Sequence, residues 1–296
     1  MMKTLATKTL AIDIGGTKYT VAAFDGDRMT RRESRATDRE GGRASLIESL
    51  TPLLRDWHAA EAFDRCGIGF GGPVNWPTQM VATSTHVGGW SNFDLPGHIR
   101  ELLGGAPVVM DNDANVGAMG EFLYGAGQSC SPLFYMTAST GIGGGILIDG
   151  HVLRGPDSWA GEIGHLNVRP DGPDCLCGSN GCLERMCCGL WLERDYGRPA
   201  IELLKDPAFV RRYVVDLARG LKACIMLLNP ERIVIGGGIS KAGDALFVPL
   251  REELARQMPP WSRARVDVQP AKLRDDSVIY GALGLAQGNC PKTDIL

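Results

Sequence analysis

The chain has 296 residues, with 31 basic side chains against 34 acidic ones and 44% hydrophobic content. A formal charge of -3 gives no electrostatic footprint for nucleic acid or an anionic membrane surface, and no run approaches the ~18 apolar residues of a spanning helix. The expected partners are therefore small molecules or further copies of the chain, and the length predicts one large or two medium domains.

In chain order, Leu10–Ile14 predicts a short apolar strand that turns at Gly15 and Gly16 and resumes at Tyr19–Phe24 as a hairpin. Residues 1–12 carry only Lys3 and Lys8 as charges and show no leader pattern. Arg43–Ala59 places Leu46, Ile47, Leu50, Leu53, Leu54 and Trp57 at helical spacing, a stripe that should pack on the first sheet. Cys66–Phe70 predicts a buried strand, followed by the Gly71-Gly72-Pro73 turn and an irregular loop to Trp90. Pro107–Met110 is another strand, and Asp111-Asn112-Asp113 leads into a helix over Ala114–Tyr124. Phe134–Thr137 and Ile142–Ile148 form a second glycine-hinged hairpin that echoes the first. Helices over Val214–Leu228, Ala242–Met258 and residues 277–287, with a strand over Arg232–Ile235, complete the pattern. Strands precede helices in both halves, so a duplicated α/β fold with a cleft between two lobes is expected.

The most informative stretch is Cys175-Leu-Cys177-Gly-Ser-Asn-Gly-Cys182-Leu-Glu184, with His165 ten residues before its first cysteine. Three thiols in eight residues and one histidine supply the four ligands of a closed tetrahedral zinc site. Such a clip would also fix Glu162, His165 and Glu184 in one place, unless the knot is structural only. The nine cysteines are odd in number and mostly scattered, which suits a reducing compartment and predicts a cytoplasmic location.

Three glycine turns could approach phosphates: Asp13-Ile-Gly15-Gly16-Thr17-Lys18, Thr140-Gly141-Ile-Gly143-Gly144-Gly145, and Gly236-Gly237-Gly238. Glycine lets backbone amides reach an anion without an intervening Cβ, and Thr and Lys add directed donors. An empty hairpin turn is the commoner explanation of each alone, and none fits the Walker or dinucleotide pattern. Together they suggest a nucleotide held between two lobes, with Asp13 placed to hold Mg²⁺ directly or through water.

These elements in this order resemble the ROK family of sugar kinases and sugar-responsive repressors, within the actin-like ATPase and hexokinase superfamily. The resemblance covers nearly the whole chain and rests on the Asp13 turn, Asn112-Asp113-Ala-Asn115, the Thr140–Gly145 turn, Glu162-Ile-Gly-His165, the cysteine knot and the Gly236–Gly238 turn. It implies a two-lobed actin-like ATPase fold, a duplicated ribonuclease H-like architecture with a zinc loop over 162–184. The smaller lobe would span 1–115, completed by the C-terminal helix 277–290, and the larger 116–276. By the same resemblance Asp113 is the catalytic base, and Asn112, Asp113, Glu162, His165 and Glu184 bind sugar hydroxyls, with the loop at Gly72 closing over them. His165, Cys175, Cys177 and Cys182 bind structural Zn²⁺, so that His165 offers one ring nitrogen to the metal and the other to a hydroxyl. Asp13, Gly15, Gly16, Thr17, Lys18, Thr140, Gly141, Gly143, Gly236, Gly237 and Gly238 would serve ATP and Mg²⁺.

The implied activity is ATP-dependent phosphorylation of a hexose at a primary hydroxyl, in a homodimer or homotetramer. Glucose is the default sugar, with fructose, mannose, allose and N-acetylmannosamine open. A sugar-sensing repressor is the alternative, but it needs a basic recognition helix ahead of Asp13, where no such helix is expected. Without the resemblance Asp113 reads equally well as a helix N-cap. Asp111 is assigned capping or nothing, His86 is read as a solvent-facing loop position in preference to a sugar contact, and Trp90 as a loop anchor in preference to a ring stacked on the sugar. Ser139 and Cys187-Cys188 depart from the family's pattern.

Overall fold

The strands form where apolar residues alternate or run unbroken, and their two faces receive different helices. A computed structural model describes residues 7–84, 87–262 and 264–289. The chain opens with β1 (Lys8–Ile14), β2 (Lys18–Asp25) and β3 (Arg28–Ala36), then α1 (Gly42–Ala60) and β4 (Arg65–Phe70). The short pair β5 (Val74–Asn75) and β6 (Met80–Val81), α2 (Leu95–Leu102), β7 (Val108–Asn112) and α3 (Asp113–Tyr124) follow. The second half runs β8 (Leu133–Ala138), β9 (Ile142–Ile148), β10 (His151–Val152), α4 (Leu183–Cys187), α5 (Gly189–Tyr196), α6 (Ala200–Leu203) and α7 (Pro207–Leu228). It closes with β11 (Arg232–Gly236), α8 (Asp244–Gln257), β12 (Asp267–Pro270) and α9 (Ser277–Gln287).

Two five-stranded sheets repeat one topology. Their orders are β3-β2-β1-β4-β7 and β10-β9-β8-β11-β12. In each, an antiparallel hairpin gives way to two parallel strands, β1 to β4 to β7 and β8 to β11 to β12. The duplicated α/β reading is thus met in the strand order itself.

On β1, period two turns Leu10, Ile12 and Ile14 toward the α1 stripe of Leu46, Leu50, Leu53, Leu54 and Trp57, while Ala11 faces the other way. That other face, with Ala22 and Phe24, packs on α3 and α9, which also meet Leu133, Tyr135 and Val234 of the second sheet. The close approach is made by missing side chains: a Cβ at Gly67 of β4 would lie 2.0 Å from the Ala282 carbonyl oxygen, and one at Gly281 1.7 Å from that of Val116. The helices α7 and α8 cover the outer face of the second sheet. The boundary expected at residue 115 falls inside α3.

Several elements escape the sequence pattern. The edge strand β3, Arg-Met-Thr-Arg-Arg-Glu-Ser-Arg-Ala, has no apolar alternation because it is largely exposed. The loop expected between Gly71 and Trp90 contains the β5–β6 hairpin. The helix expected from Val214 begins at Pro207, capped by Asp206, whose carboxylate accepts from the Ala208 N–H. His86 and Cys290 lie outside the described residues.

Candidate active site

The parallel strands bring three carboxyl ends together. Registers of Asp13 with Gly69, Phe70 with Asn112, and the Gly71 N–H on the Ile14 carbonyl at 2.7 Å set the ends of β1, β4 and β7 side by side. The crevice beyond such ends is where α/β sheets bind ligands. Asn112, not Asp113, caps α3: its side chain accepts from the Ala114 N–H at 2.9 Å and donates through Nδ2 to the Gly72 carbonyl at 3.0 Å. Asp113 is left at the first helical position, and the bare Cα of Gly71 faces its carboxylate: a Cβ there would stand 3.5 Å from Oδ2.

The carboxylates on this face are electrostatically joined. Burial first, then the charges of Asp13 and Glu162, push Asp113 up to about 7. Asp13 is also pushed up to about 7, by burial against the opposing pull of Lys18 and Arg32. Burial raises Glu162, opposed by His165 and reinforced by Glu184. The expected residues from four distant stretches thus share one field. Glu184 is itself 7% exposed, and its Oε2 accepts from the Ile142 N–H at 2.9 Å, which pins the end of the knot to β9.

The glycine turns divide into packing and open positions. Gly143 would place a Cβ 3.2 Å from that of Ala114, and Gly145 one 2.4 Å from the Ala114 carbonyl oxygen, so this run seats the start of α3 against β9. Gly236, expected at a nucleotide, is buried beneath the Tyr135 hydroxyl, 2.2 Å from where its Cβ would be. Gly237 takes φ +83 over the Ala138 carbonyl, and Gly238 faces open space. A pocket of about 300 Å³ lies there, lined by Ser139, Gly189, Ile201, Gly238, Ile239 and Lys241.

Sequence reasoning named Lys18 but missed Lys241, which lines this pocket, and the carboxylates that pair with both. Lys241 Nζ lies 2.8 Å from Asp275, which also faces Lys18 Nζ at 3.6 Å, and Arg32 Nε donates to Asp276 at 2.9 Å. No spacing rule links Lys18 to Lys241, because Lys18 begins β2 of the first sheet and Lys241 lies in the turn after β11 of the second. Asp111 is likewise more than a cap: it is 2% exposed and ion-paired with Arg154 at 2.9 Å. Trp90 is 1% exposed between Phe70 and Phe93, the anchor expected of it. Cys187 and Cys188 are core residues beneath α7.

The knot folds as the spacing requires. Ligand atoms of His165, Cys175, Cys177 and Cys182 all lie within 4.8 Å of one another, and the Sγ atoms of Cys177 and Cys182 are 3.6 Å apart. Gly178 at φ +89 and Gly181 at φ +58 make the turns that aim the thiols inward. Burial, then the Cys177 and Cys175 thiols, push Cys182 up to about 12, so a divalent cation is what would hold this set as thiolates. His165 Nδ1 is buried without a hydrogen-bond partner, as a metal-facing nitrogen would be. The cluster fits zinc in donor type, number and spacing.

Residues 9–289 match the ROK family. The chain is 31% identical over 307 residues to the glucokinase of Thermotoga maritima, covering 94% of this chain and 96% of that protein. It is 32% identical over 294 residues to the N-acetylmannosamine kinase of Vibrio cholerae, covering 93% and 98%. Its fold matches a ROK family glucokinase from Streptomyces griseus, in complex with glucose and AMPPNP, at a TM-score of 0.84 and 27% identity, covering 95% and 99% of the two chains. With a family match from the first strand to the last helix, this chain belongs to the ROK family.

Proposed function

We propose that the chain is an ATP-dependent hexose kinase that phosphorylates a primary hydroxyl, with glucose as substrate. The observation that carries the reading is Asp113: a carboxyl at the first position of α3, raised to about 7 by burial and by the charges of Asp13 and Glu162. The glucokinase relative and the glucose- and AMPPNP-bound neighbour support the choice of sugar and donor.

In this reading the sugar hydroxyl donates to ionised Asp113. As its oxygen bonds to the γ-phosphorus, the bond to the β-phosphate oxygen breaks, ADP leaves with the electron pair, and Asp113 keeps the proton. General-base help of this kind contributes about 10²–10⁴-fold, and the rest comes from positioning. Asn112, Glu162, His165 and Glu184 hold the ring hydroxyls beside Gly72. Asp13, Gly15, Gly16, Thr17, Lys18, Thr140, Gly141, Gly143 and Gly238 serve the nucleotide, while Gly236 and Gly237 shape the turn. Mg²⁺ held through Asp13 would neutralise charge on the phosphates. Zinc on His165 Nδ1, Cys175, Cys177 and Cys182 would leave His165 Nε2 as an oriented donor to sugar. The enzyme would work in the cytoplasm as a homodimer or homotetramer.

The V. cholerae relative at 32% identity favours N-acetylmannosamine as the second reading. A coupled ADP-release assay over glucose, mannose, fructose, allose and N-acetylmannosamine decides between them. Glucose should give the highest kcat/KM, and Asp113→Asn should abolish turnover while sugar binding survives. Folded, zinc-loaded protein that turns over none of these sugars would sink the reading.

A further inference from the structure

A buried ion pair lies beside the sugar-side residues without belonging to them. Asp111, near the end of β7, is 2% exposed, and Arg154, two residues past β10, is 6% exposed. Arg154 Nε donates to Asp111 Oδ2 at 2.9 Å, and the guanidinium carbon lies 3.7 Å from the centroid of the Trp76 ring. Asp111 Oδ1 accepts from the Asn112 N–H at 2.7 Å and from Asn115 Nδ2 at 3.2 Å. Local bonds extend the junction: Trp76 N–H donates to Ser158 Oγ at 3.1 Å, and Ala160 N–H to the Arg154 carbonyl at 2.9 Å. Gln79 Nε2 donates to the Trp76 carbonyl at 2.9 Å while its Oε1 accepts from Met110 N–H at 2.8 Å.

Stability is a poor reason for such a pair, because desolvation cancels much of its attraction and apolar residues often serve as well. Its placement gives a better one. Three segments, 72–79, 110–115 and 154–162, meet at one guanidinium. Each carries a group that the kinase reading assigns to the sugar: Gly72, Asn112 with Asp113, and Glu162. A planar guanidinium stacks on an indole while its edge meets a carboxylate, which an ammonium cannot reproduce.

We infer that Arg154 is a positioning residue that, with Asp111 and Trp76, holds three walls of the sugar pocket in register without touching the sugar. The inference rests on the kinase reading for its kinetic consequence, though not for its structural one.

The test compares the whole protein with Arg154→Lys and Trp76→Leu by steady-state kinetics and hydrogen exchange. Arg154→Lys keeps a cation opposite Asp111, so the fold is retained while the stack is lost. Displacing groups by about 1 Å lowers kcat/KM for the sugar about 100-fold, with KM for ATP changed less than about 3-fold. Backbone amides of 73–79 and 154–161 should exchange faster together. Sugar and ATP constants that move in parallel would overturn the inference, as would unchanged sugar kinetics in both variants or faster exchange in only one segment. If Arg154→Lys does not fold, Trp76→Leu carries the same readouts. If the unaltered protein turns over no sugar, the kinase reading fails, and exchange alone decides the clamp: joint loosening supports it and loosening of one segment refutes it.

Discussion

A carboxyl raised to about 7 works as a base only where it is ionised, so Asp113 ties rate and stability to pH in opposite directions. Lowering pH through 7 protonates it, and kcat/KM should fall tenfold per unit once the group is mostly neutral, a limb that Asp113→Asn removes along with activity. Asp13 titrates in the same range and its charge raises Asp113, so the profile reports the pair rather than either residue. For stability the sign reverses. A carboxyl whose folded value lies above its unfolded ~3.9 favours the fold most at low pH and loses that contribution as pH rises through about 7. Asp113→Asn carries no charge to desolvate, so it should melt higher than the parent at pH 8, by about 2–4 °C after allowing for the partial exposure of the site. The gain should vanish below about pH 4, where both forms are neutral. Melting curves at pH 4, 6 and 8 check this, and an equal shift at every pH would mean that Asp113 is not the strained group.

Among the elements, the cysteine knot is the one whose packing should pass directly into sugar affinity. Leu183 N–H on the Leu166 carbonyl at 2.9 Å and Val168 N–H on the Gly181 carbonyl at 2.9 Å join its two arms, and Glu184 carries the join to β9. Metal analysis should find one zinc per chain, and Cys177→Ser should lower zinc content and weaken sugar binding about tenfold, with ATP binding less affected. Full sugar affinity in zinc-free protein would uncouple knot from pocket. The ligand set was legible because four donors fall within eighteen residues at spacings that only a tight turn satisfies. The hairpins were legible for a similar reason, since glycine turns and apolar alternation are local. What could not be read is what burial alone decides. The polar edge strand β3 carries no pattern, Gly236 looks like a phosphate glycine until Tyr135 is seen above it, and Asp111 meets Arg154 only because β7 and the segment after β10 converge. The start of α7 is different in kind: Asp206-Pro207 is a readable cap and first-turn signal that the apolar stripe overshadowed.

At the scale of the whole molecule, the duplicated sheets bring one lysine from each half to a single carboxylate, at the place where the kinase reading puts the nucleotide. Lys18 begins β2, Lys241 follows β11, and Asp275 precedes α9; Glu121 of α3 steadies that approach by accepting from the Lys272 N–H at 3.1 Å, the Leu273 N–H at 2.9 Å and Ser277 Oγ at 2.7 Å. The three charged side chains are 40–51% exposed, so the bridges contribute only about 0–1 kcal/mol each. A triphosphate carries several charges into the same space and outcompetes one carboxylate for both lysines. Asp275 then acts against nucleotide binding and Lys241 for it, which predicts opposite signs. At low ionic strength Asp275→Asn should lower KM for ATP about 2–5-fold and Lys241→Gln should raise it by a similar factor, both effects shrinking in about 0.5 M salt as screening shortens to a few ångström. KM for the sugar should change less in both, because the ion pairs of these side chains run to Lys18 and to each other. Were Asp275→Asn instead to raise KM for ATP, Asp275 would be aiming the lysines rather than competing for them. A change of equal size in sugar KM would mean that the two sheets respond to this bridge as one body.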